Sequence, residues 1–188
     1  PHVVDYTDWL KTGAILLVAV DHFGYFFIVD ADWWSVIGRM AAPIFFFLMG
    51  YAHSRTIPLR WIWLGVILTL LDSWNMDWTW VAPNILISLA LIRRARPYAK
   101  NLVEGCGWIA FTGIIVALLT MLPFVTDVVE YGAEGWLWAL LGLGQRMYID
   151  GNSTTNVSVM RWLVGIVAAV VYVWQEQIAF LFSRSQLT

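Results

Sequence analysis

Residues 9–29 read WLKTGAILLVAVDHFGYFFIV, and this stretch decides the class of fold. About 20 consecutive, mainly apolar residues are enough for a helix to cross the hydrocarbon core of a bilayer. Soluble domains carry about 25% charged residues. In this chain of 188 residues the charged fraction is 13%, the hydrophobic fraction is 60% and the mean hydropathy is +0.70. The sequence therefore predicts an integral membrane protein, which excludes a soluble enzyme and a nucleic-acid-binding protein.

Further apolar stretches follow the first, and together they predict an all-α, polytopic transmembrane helical bundle of about seven spans in a single domain. The spans are expected near residues 9–29, 33–52, 60–74, 78–92, 105–125, 132–149 and 159–182. The third and fourth are short, which is typical of tilted or interrupted helices. No internal repeat is visible, which disfavours a transporter built from inverted halves.

The segments that connect the predicted spans are sorted by charge. Those around 53–60 and 93–104 are rich in Arg and Lys, whereas those around 30–32, 72–77 and 126–130 carry acidic residues and neither Lys nor Arg. Lys and Arg concentrate in the cytoplasmic loops of membrane proteins. The N-terminus is therefore predicted to be cytoplasmic, in a chain that crosses a bacterial inner membrane several times.

A few polar side chains lie inside the predicted spans, where they are costly unless they face a cavity or one another. Asp21 and His22 lie in the outer half of the first span, Arg39 in the outer third of the second and Asn84 in the outer half of the fourth. Four polar groups at one depth predict a cavity that opens to the outer face. A histidine beside a carboxylate suits a general base, and arginine and amide groups can stabilise an oxyanion. This set fits acyl transfer to an amine or a hydroxyl.

The same residues also have a purely structural interpretation. Asp21 could pair with Arg39 and so neutralise a buried charge, while His22 could donate a hydrogen bond to a backbone carbonyl. In that case the polar groups would satisfy one another and would carry no chemistry. Residue type and depth alone leave both interpretations open.

A basic group lies at the inner end of the fourth predicted span. Arg93, Arg94 and Arg96 could hold the anionic phosphates of a nucleotide-like cofactor, or could serve only as the orientation signal. His53 is expected to be an interfacial loop residue. Three scattered histidines and the single cysteine, Cys106, have no metal-ligand spacing, so no metal is expected.

Four short motifs follow one another along the chain. They are DHFG at 21–24, GRMAAPIF at 38–45, NIL at 84–86 and EYGAEG at 130–135. In this order they resemble the TraX family of conjugal-transfer membrane proteins, and QRMY at 145–148 continues the resemblance. It extends from about residue 9 to residue 148.

The resemblance implies an integral-membrane acyltransferase that uses acetyl-CoA or another acyl-CoA as donor, since the named member of the family is implicated in N-acetylation of pilin. It implies that His22 is the catalytic base and that Arg39 matches the arginine of the family's second span. Asp21 is then expected to orient His22. The donor or oxyanion would be held by Arg39 and Asn84, and Arg93, Arg94 and Arg96 would meet a cytosolic donor. The acceptor would arrive from outside.

One departure from the family supports an alternative. TraX-like proteins carry a second histidine in the last span, and Gln177 stands at the comparable position here. Loss of this titratable group favours a catalytically inactive accessory subunit that packs within a larger membrane complex, respiratory or photosynthetic. Its partners would be lipid and other membrane subunits. With a formal net charge of −2, nucleic acid is not an expected partner.

Overall fold

The computed structural model describes residues 5–28, 32–53, 56–75, 83–125, 131–151 and 155–175, and the regular structure within these ranges is entirely helical. The helices are α1 (Tyr6–Phe27), α2 (Asp32–Arg39), α3 (Ala41–Tyr51), α4 (Leu59–Asn75), α5 (Ile85–Cys106), α6 (Trp108–Val125), α7 (Gly132–Ile149) and α8 (Thr155–Tyr172). The predicted all-α class is confirmed. The part of the last predicted span that includes Gln177 lies outside the described residues.

The predicted span at 33–52 is divided into two helices. Met40 forms a turn between α2 and α3, and its amide donates to the Ile37 carbonyl. Pro43 follows in the first turn of α3. Proline suits this position because the first amides of a helix have no partner within it. The break places the last residue of α2, Arg39, at the corner between the two helices.

The connection predicted around 93–104 is helical instead. Helix α5 continues through Pro97 to Cys106 and ends at Gly107, whose φ of 58° favours glycine. A proline inside a helix removes one backbone hydrogen bond, and the packing of α5 against its neighbours outweighs that loss. The basic residues expected in a loop therefore lie on a helix, where spacing decides which way each one points.

Helices that follow one another along the chain run in alternating directions, with α2 and α3 counted together. The start of α1 meets the end of α3 through a hydrogen bond between the Tyr6 and Tyr51 hydroxyls. Helices α4 and α5 are antiparallel, since the Asn84 amide donates to Thr69 near the end of α4. Helices α7 and α8 are antiparallel too. By contrast α3, α5 and α7 run the same way. Asn84, which precedes α5, therefore lies near the end of the bundle from which α3 starts.

Helix α7 lies at the centre of the bundle, with α3, α5, α6 and α8 packed around it. Small residues allow a close approach to α3. A Cβ atom at Gly50 would lie 1.8 Å from the Ala139 carbonyl oxygen, and one at Gly142 would lie 2.1 Å from that of Phe47. Close contact through small residues is the usual way in which membrane helices associate. The backbones of α3 and α7 therefore lie in close contact.

The outer helices expose large apolar side chains. Trp9 on α1, Trp63 on α4 and Trp162 on α8 are each about two-thirds exposed or more. Within the described ranges, one segment, Ser158–Gln175, is long and apolar enough to cross a membrane, and shorter apolar helices occupy Val36–Tyr51 and Trp108–Leu122. An all-helical fold that includes one such segment is therefore established.

Candidate functional site

A cavity of about 1130 Å³ lies between α1, α3, α4 and α5 and reaches both ends of α7. Its lining includes four polar residues that the sequence places at one depth, and we call this part the histidine end. It is formed by Asp21, His22, Arg39 and Asn84. The opposite part, which we call the basic end, has basic side chains on three helices and a loop. It is formed by Lys11, His53, Arg93 and Arg146.

The histidine end depends on a close contact between α1 and α2. A Cβ atom at Gly38 would lie 2.1 Å from the Cβ of Asp21, so any larger residue would separate the two helices. This contact brings Arg39 to the cavity beside Asp21. Glycine at 38 therefore has a positional role, which the GRMAAPIF motif alone does not reveal.

The imidazole of His22 is oriented by its own helix. Its Nδ1 lies 2.9 Å from the Val18 carbonyl oxygen. A carbonyl can only accept, so Nδ1 carries the proton and the basic lone pair is on Nε2. The nearest oxygen of Asp21 is 3.9 Å from Nδ1, which is too far for a hydrogen bond. The Val18 carbonyl thus has the orienting role that the sequence analysis gave to Asp21.

Asn84 both caps a helix and lines the cavity. Its Oδ1 accepts from the Leu86 amide at 3.1 Å, and its own backbone amide donates to the Thr69 hydroxyl at 2.9 Å. Such an N-cap satisfies an otherwise unpaired amide in the first turn of α5. Because the side-chain oxygen is engaged, the NH₂ group is the part of Asn84 able to donate to a ligand.

Two arginines at the basic end contact aromatic rings. The guanidinium of Arg93 lies 5.8 Å from the ring centre of Trp61, and that of Arg146 lies 5.4 Å from the ring centre of Tyr51. Arg146 also pairs with Asp150 at 3.0 Å. The Nε of Arg93 is buried and has no hydrogen-bond partner among the described residues. Fixed cations of this kind suit an anionic group such as a phosphate.

The other two predicted arginines lie outside this cavity. Arg96 is buried, and its Nε donates to the Gly50 carbonyl at 2.7 Å, so it joins α5 to α3. Arg94 is exposed and donates to the Tyr98 hydroxyl at 3.0 Å. Successive helical residues point about 100° apart. A group that the sequence analysis treated as one patch is thus divided, and only Arg93 faces the cavity.

Several lining residues were not predicted as site residues. His53, expected to be an interfacial loop residue, follows α3 and lines the basic end, together with Lys11, Tyr51 and Arg146. Tyr131 lies at the start of α7 with φ of 60°, and its ring packs edge-on against Phe46. Tyr131 belongs to the EYGAEG motif and Arg146 to the QRMY motif. These motifs were the sequence signal from which both residues could have been predicted as site residues.

The described side chains contain no group of three or more His, Cys, Asp or Glu residues that could hold a metal ion. Acyl transfer by a base and an oxyanion site needs none.

Known proteins provide an independent comparison. The sequence profile described as TraX protein matches residues 6–182. A protein named TraX from Escherichia coli is 24% identical over 168 residues, which are 87% of this chain and 64% of that protein, and the TraX of strain K12 is 23% identical over the same length. An uncharacterized protein of Rickettsia prowazekii, RP591, is 30% identical over 154 residues, which are 81% of this chain and 59% of that protein.

This chain thus spans about three fifths of the length of these relatives. No solved structure matches it. The profile match covers most of the chain and includes all four motifs that line or border the cavity. By this match, the chain belongs to the TraX family.

Proposed function

We propose that this chain is an integral-membrane acyltransferase that moves an acyl group, in the simplest case acetyl, from acyl-CoA to an exported acceptor. The observation that carries the proposal is the cavity itself. One continuous space joins a histidine with a defined basic nitrogen, Nε2 of His22, to a set of cations at the opposite end. A base at one end and an anion-binding region at the other suit a donor that reaches along the cavity.

A multi-pass arrangement in the inner membrane accounts for the architecture. Consecutive helices along the chain alternate in direction, as they would if each span crossed the bilayer in turn, and the outer helices expose tryptophan and aliphatic side chains as lipid-facing helices do. Apart from Arg39, the Lys and Arg residues of the described ranges lie toward the basic end. The positive-inside rule then makes the basic end cytoplasmic, which is where acyl-CoA is available.

The donor is expected to bind at the basic end. Lys11, Arg93 and Arg146 would hold the phosphates of CoA, with His53 as a further donor. The thioester would extend toward the histidine end. Arg94 and Arg96 are not part of this proposed donor site, because one is exposed away from the cavity and the other is bound to the Gly50 carbonyl.

The proposed reaction follows from the histidine end. Nε2 of His22 takes a proton from the amine or hydroxyl of the acceptor while its N or O atom forms a bond to the thioester carbonyl carbon. Arg39 and the Asn84 NH₂ group donate to the oxyanion that develops. When the C–S bond breaks, the sulfur leaves with the electron pair and receives the proton from His22. The products are the acylated acceptor and CoA as its free thiol.

The test is transfer of radiolabelled acetyl from acetyl-CoA by the purified full chain in vesicles. His22→Ala is expected to lower kcat at least a hundredfold, because general base catalysis contributes about 10²- to 10⁴-fold. Arg93→Ala is expected to raise the KM for acetyl-CoA, and Arg94→Ala is the matched control that leaves it unchanged. Full activity of His22→Ala would contradict the proposed base.

An accessory role is the second candidate, and the outer face of α4 favours it. In the described part of the chain α4 packs against α5, and it exposes Leu59, Trp63, Leu70 and Trp74. Another membrane subunit could cover this face. Native purification separates the two functions. Fixed stoichiometry with other membrane subunits and no acetyl-CoA binding would support the accessory role, whereas an isolated chain that binds acetyl-CoA would reject it.

A further inference from the structure

Helices α1 and α4 border the cavity from opposite sides, yet each packs elsewhere. Among the described helices α1 packs against α2 and α3, and α4 packs against α5. Both nevertheless contribute lining residues, among them Ile15, Val18 and His22 on α1 and Trp61 and Leu68 on α4. The cavity is therefore flanked by two helices that, among the described residues, pack mainly against other helices.

Between Lys11 and Asp21 the side chains of α1 that line the cavity are apolar, as is Leu68 on α4. Ile15 is 61% exposed and Leu68 is 36% exposed, although both line the cavity. Leu68 precedes Thr69, which receives the Asn84 amide, so this part of α4 is level with the histidine end. An opening with an apolar rim faces the hydrocarbon part of a bilayer favourably, whereas a path for a water-soluble molecule would have polar walls.

The groups of the histidine end, next to this rim, are polar. The His22 side chain is 64% exposed and the Asp21 side chain 33% exposed, and Arg39 lines the same region. A molecule that lies between α1 and α4 would therefore meet apolar side chains in the middle of the cavity and a base, a carboxylate and a guanidinium at the histidine end. This order matches an amphiphile, whose apolar chain stays between the helices while its polar head reaches the site.

We propose that the acceptor enters sideways from the bilayer between α1 and α4 and is an amphiphile, with its nucleophilic amine or hydroxyl on an apolar chain. This inference rests on the proposed acyl transfer, in which the same His22 Nε2 takes the proton from the acceptor. It adds the route and the chemical class of the acceptor. The apolar chain would lie against Ile15, Val18 and Leu68.

The experiment compares three acceptors in phosphatidylcholine vesicles with acetyl-CoA as donor. They are dodecylamine, the soluble propylamine and a single-span apolar peptide with a free N-terminal amine. Leu68→Trp narrows the opening and is expected to lower transfer to dodecylamine at least tenfold while transfer to propylamine is unchanged. Leu71→Trp is the matched control, since Leu71 is exposed on the same helix but does not line the cavity. Preference between dodecylamine and the peptide then distinguishes a lipid from a membrane-embedded polypeptide.

A second measurement does not depend on turnover. A photoreactive dodecylamine carrying a diazirine on its chain is expected to label the α1 and α4 rim, and Leu68→Trp is expected to abolish that labelling. Equal loss of transfer to both amines, no loss for either, or labelling spread evenly over the outer helices would overturn the lateral route. Absence of transfer to every acceptor, with rim labelling intact, would instead reject the proposed function and leave a bilayer-facing amphiphile site.

Discussion

At the scale of single residues, the site depends on backbone contacts as much as on side-chain chemistry. His22 receives its tautomer from the Val18 carbonyl one turn earlier on α1, so the imidazole can be oriented before any ligand binds. The nearest carboxylate oxygen of Asp21 lies 3.9 Å from Nδ1 of the same imidazole. Arg39, at the end of α2, is positioned by the close contact between Gly38 and Asp21. These local relationships define the reactive end of the cavity.

Gly38 is expected to tolerate no side chain. The Cβ atom of Gly38→Ala would lie 2.1 Å from the Cβ of Asp21, so the helices must separate. Overpacking of this kind costs about 1–3 kcal/mol, and it would displace Arg39 from the histidine end. The melting temperature and the rate of acetyl transfer are both expected to fall.

Gly13→Ala is the control on α1, because a Cβ atom there meets nothing within 4 Å. It is expected to raise the free energy of unfolding by up to about 1 kcal/mol through helix propensity. Equal effects of the two substitutions would contradict the special role of Gly38.

At the scale of elements, α1 begins with a capping box. The Asp5 side chain accepts from the Thr7 and Asp8 amides at 2.8 and 3.1 Å, and Asp8 in turn accepts from the Asp5 amide at 3.2 Å. Such caps stabilise the first turn of a helix. The hydrogen bond from the Thr7 hydroxyl is the main cause that holds the pKa of Asp5 below 3.8.

Asp5→Ala is expected to lower the melting temperature at neutral pH. A carboxyl with a lowered pKa in the folded state stabilises it above the ordinary value of 3.8, and this contribution is lost as the pH falls through the folded pKa. The difference between wild type and Asp5→Ala should therefore shrink below pH 3.8. Asp5→Asn, which keeps an oxygen acceptor, is expected to retain most of the cap. A difference independent of pH would contradict this assignment.

The contact between α3 and α7 gives a second prediction for an element. Gly142→Ala would put a Cβ atom 2.1 Å from the Phe47 carbonyl oxygen, and the backbone there cannot move aside cheaply. The free energy of unfolding is expected to fall by about 1–3 kcal/mol. Gly113→Ala on α6, where a Cβ atom meets nothing within 4 Å, is expected to stabilise the protein slightly. Chemical denaturation of the purified protein in mild detergent measures the free energy of unfolding of both variants.

At the scale of the whole molecule, the orientation in the membrane can be tested with the natural cysteine. Cys106 is exposed at the end of α5, beyond the basic end of the cavity. If that end is cytoplasmic, a membrane-impermeant maleimide should label Cys106 in inside-out vesicles and not in intact cells. A chain with Cys106→Ser and Trp74→Cys should show the reverse, since Trp74 is exposed near the opposite end of α4. Labelling of Cys106 in intact cells would reverse the proposed topology.

The whole molecule also shows how far local sequence could predict the site. Asp21, His22, Arg39 and Asn84 were identified by their depth within apolar stretches, and they line one cavity. The depth of a residue in a span can be estimated from the sequence because the hydropathy pattern indicates where each span starts and ends. Arg94 and Arg96 were grouped with Arg93 because a loop was expected, and the helix that continues through Pro97 separates them. Helix continuity across a proline depends on tertiary packing.

By itself, the sequence determined the all-helical class, the family and the residues of the histidine end, because apolar length, polar depth and short motifs are local properties. The tertiary structure decided which cations share a cavity with His22. Lys11, Arg93 and Arg146 are far apart along the chain, and only the packing of α1, α5 and α7 around α3 brings them to one space. It also decided that, in the described part of the chain, α1 and α4 border that space while packing mainly against other helices, since helix pairing is set by shape and not by composition.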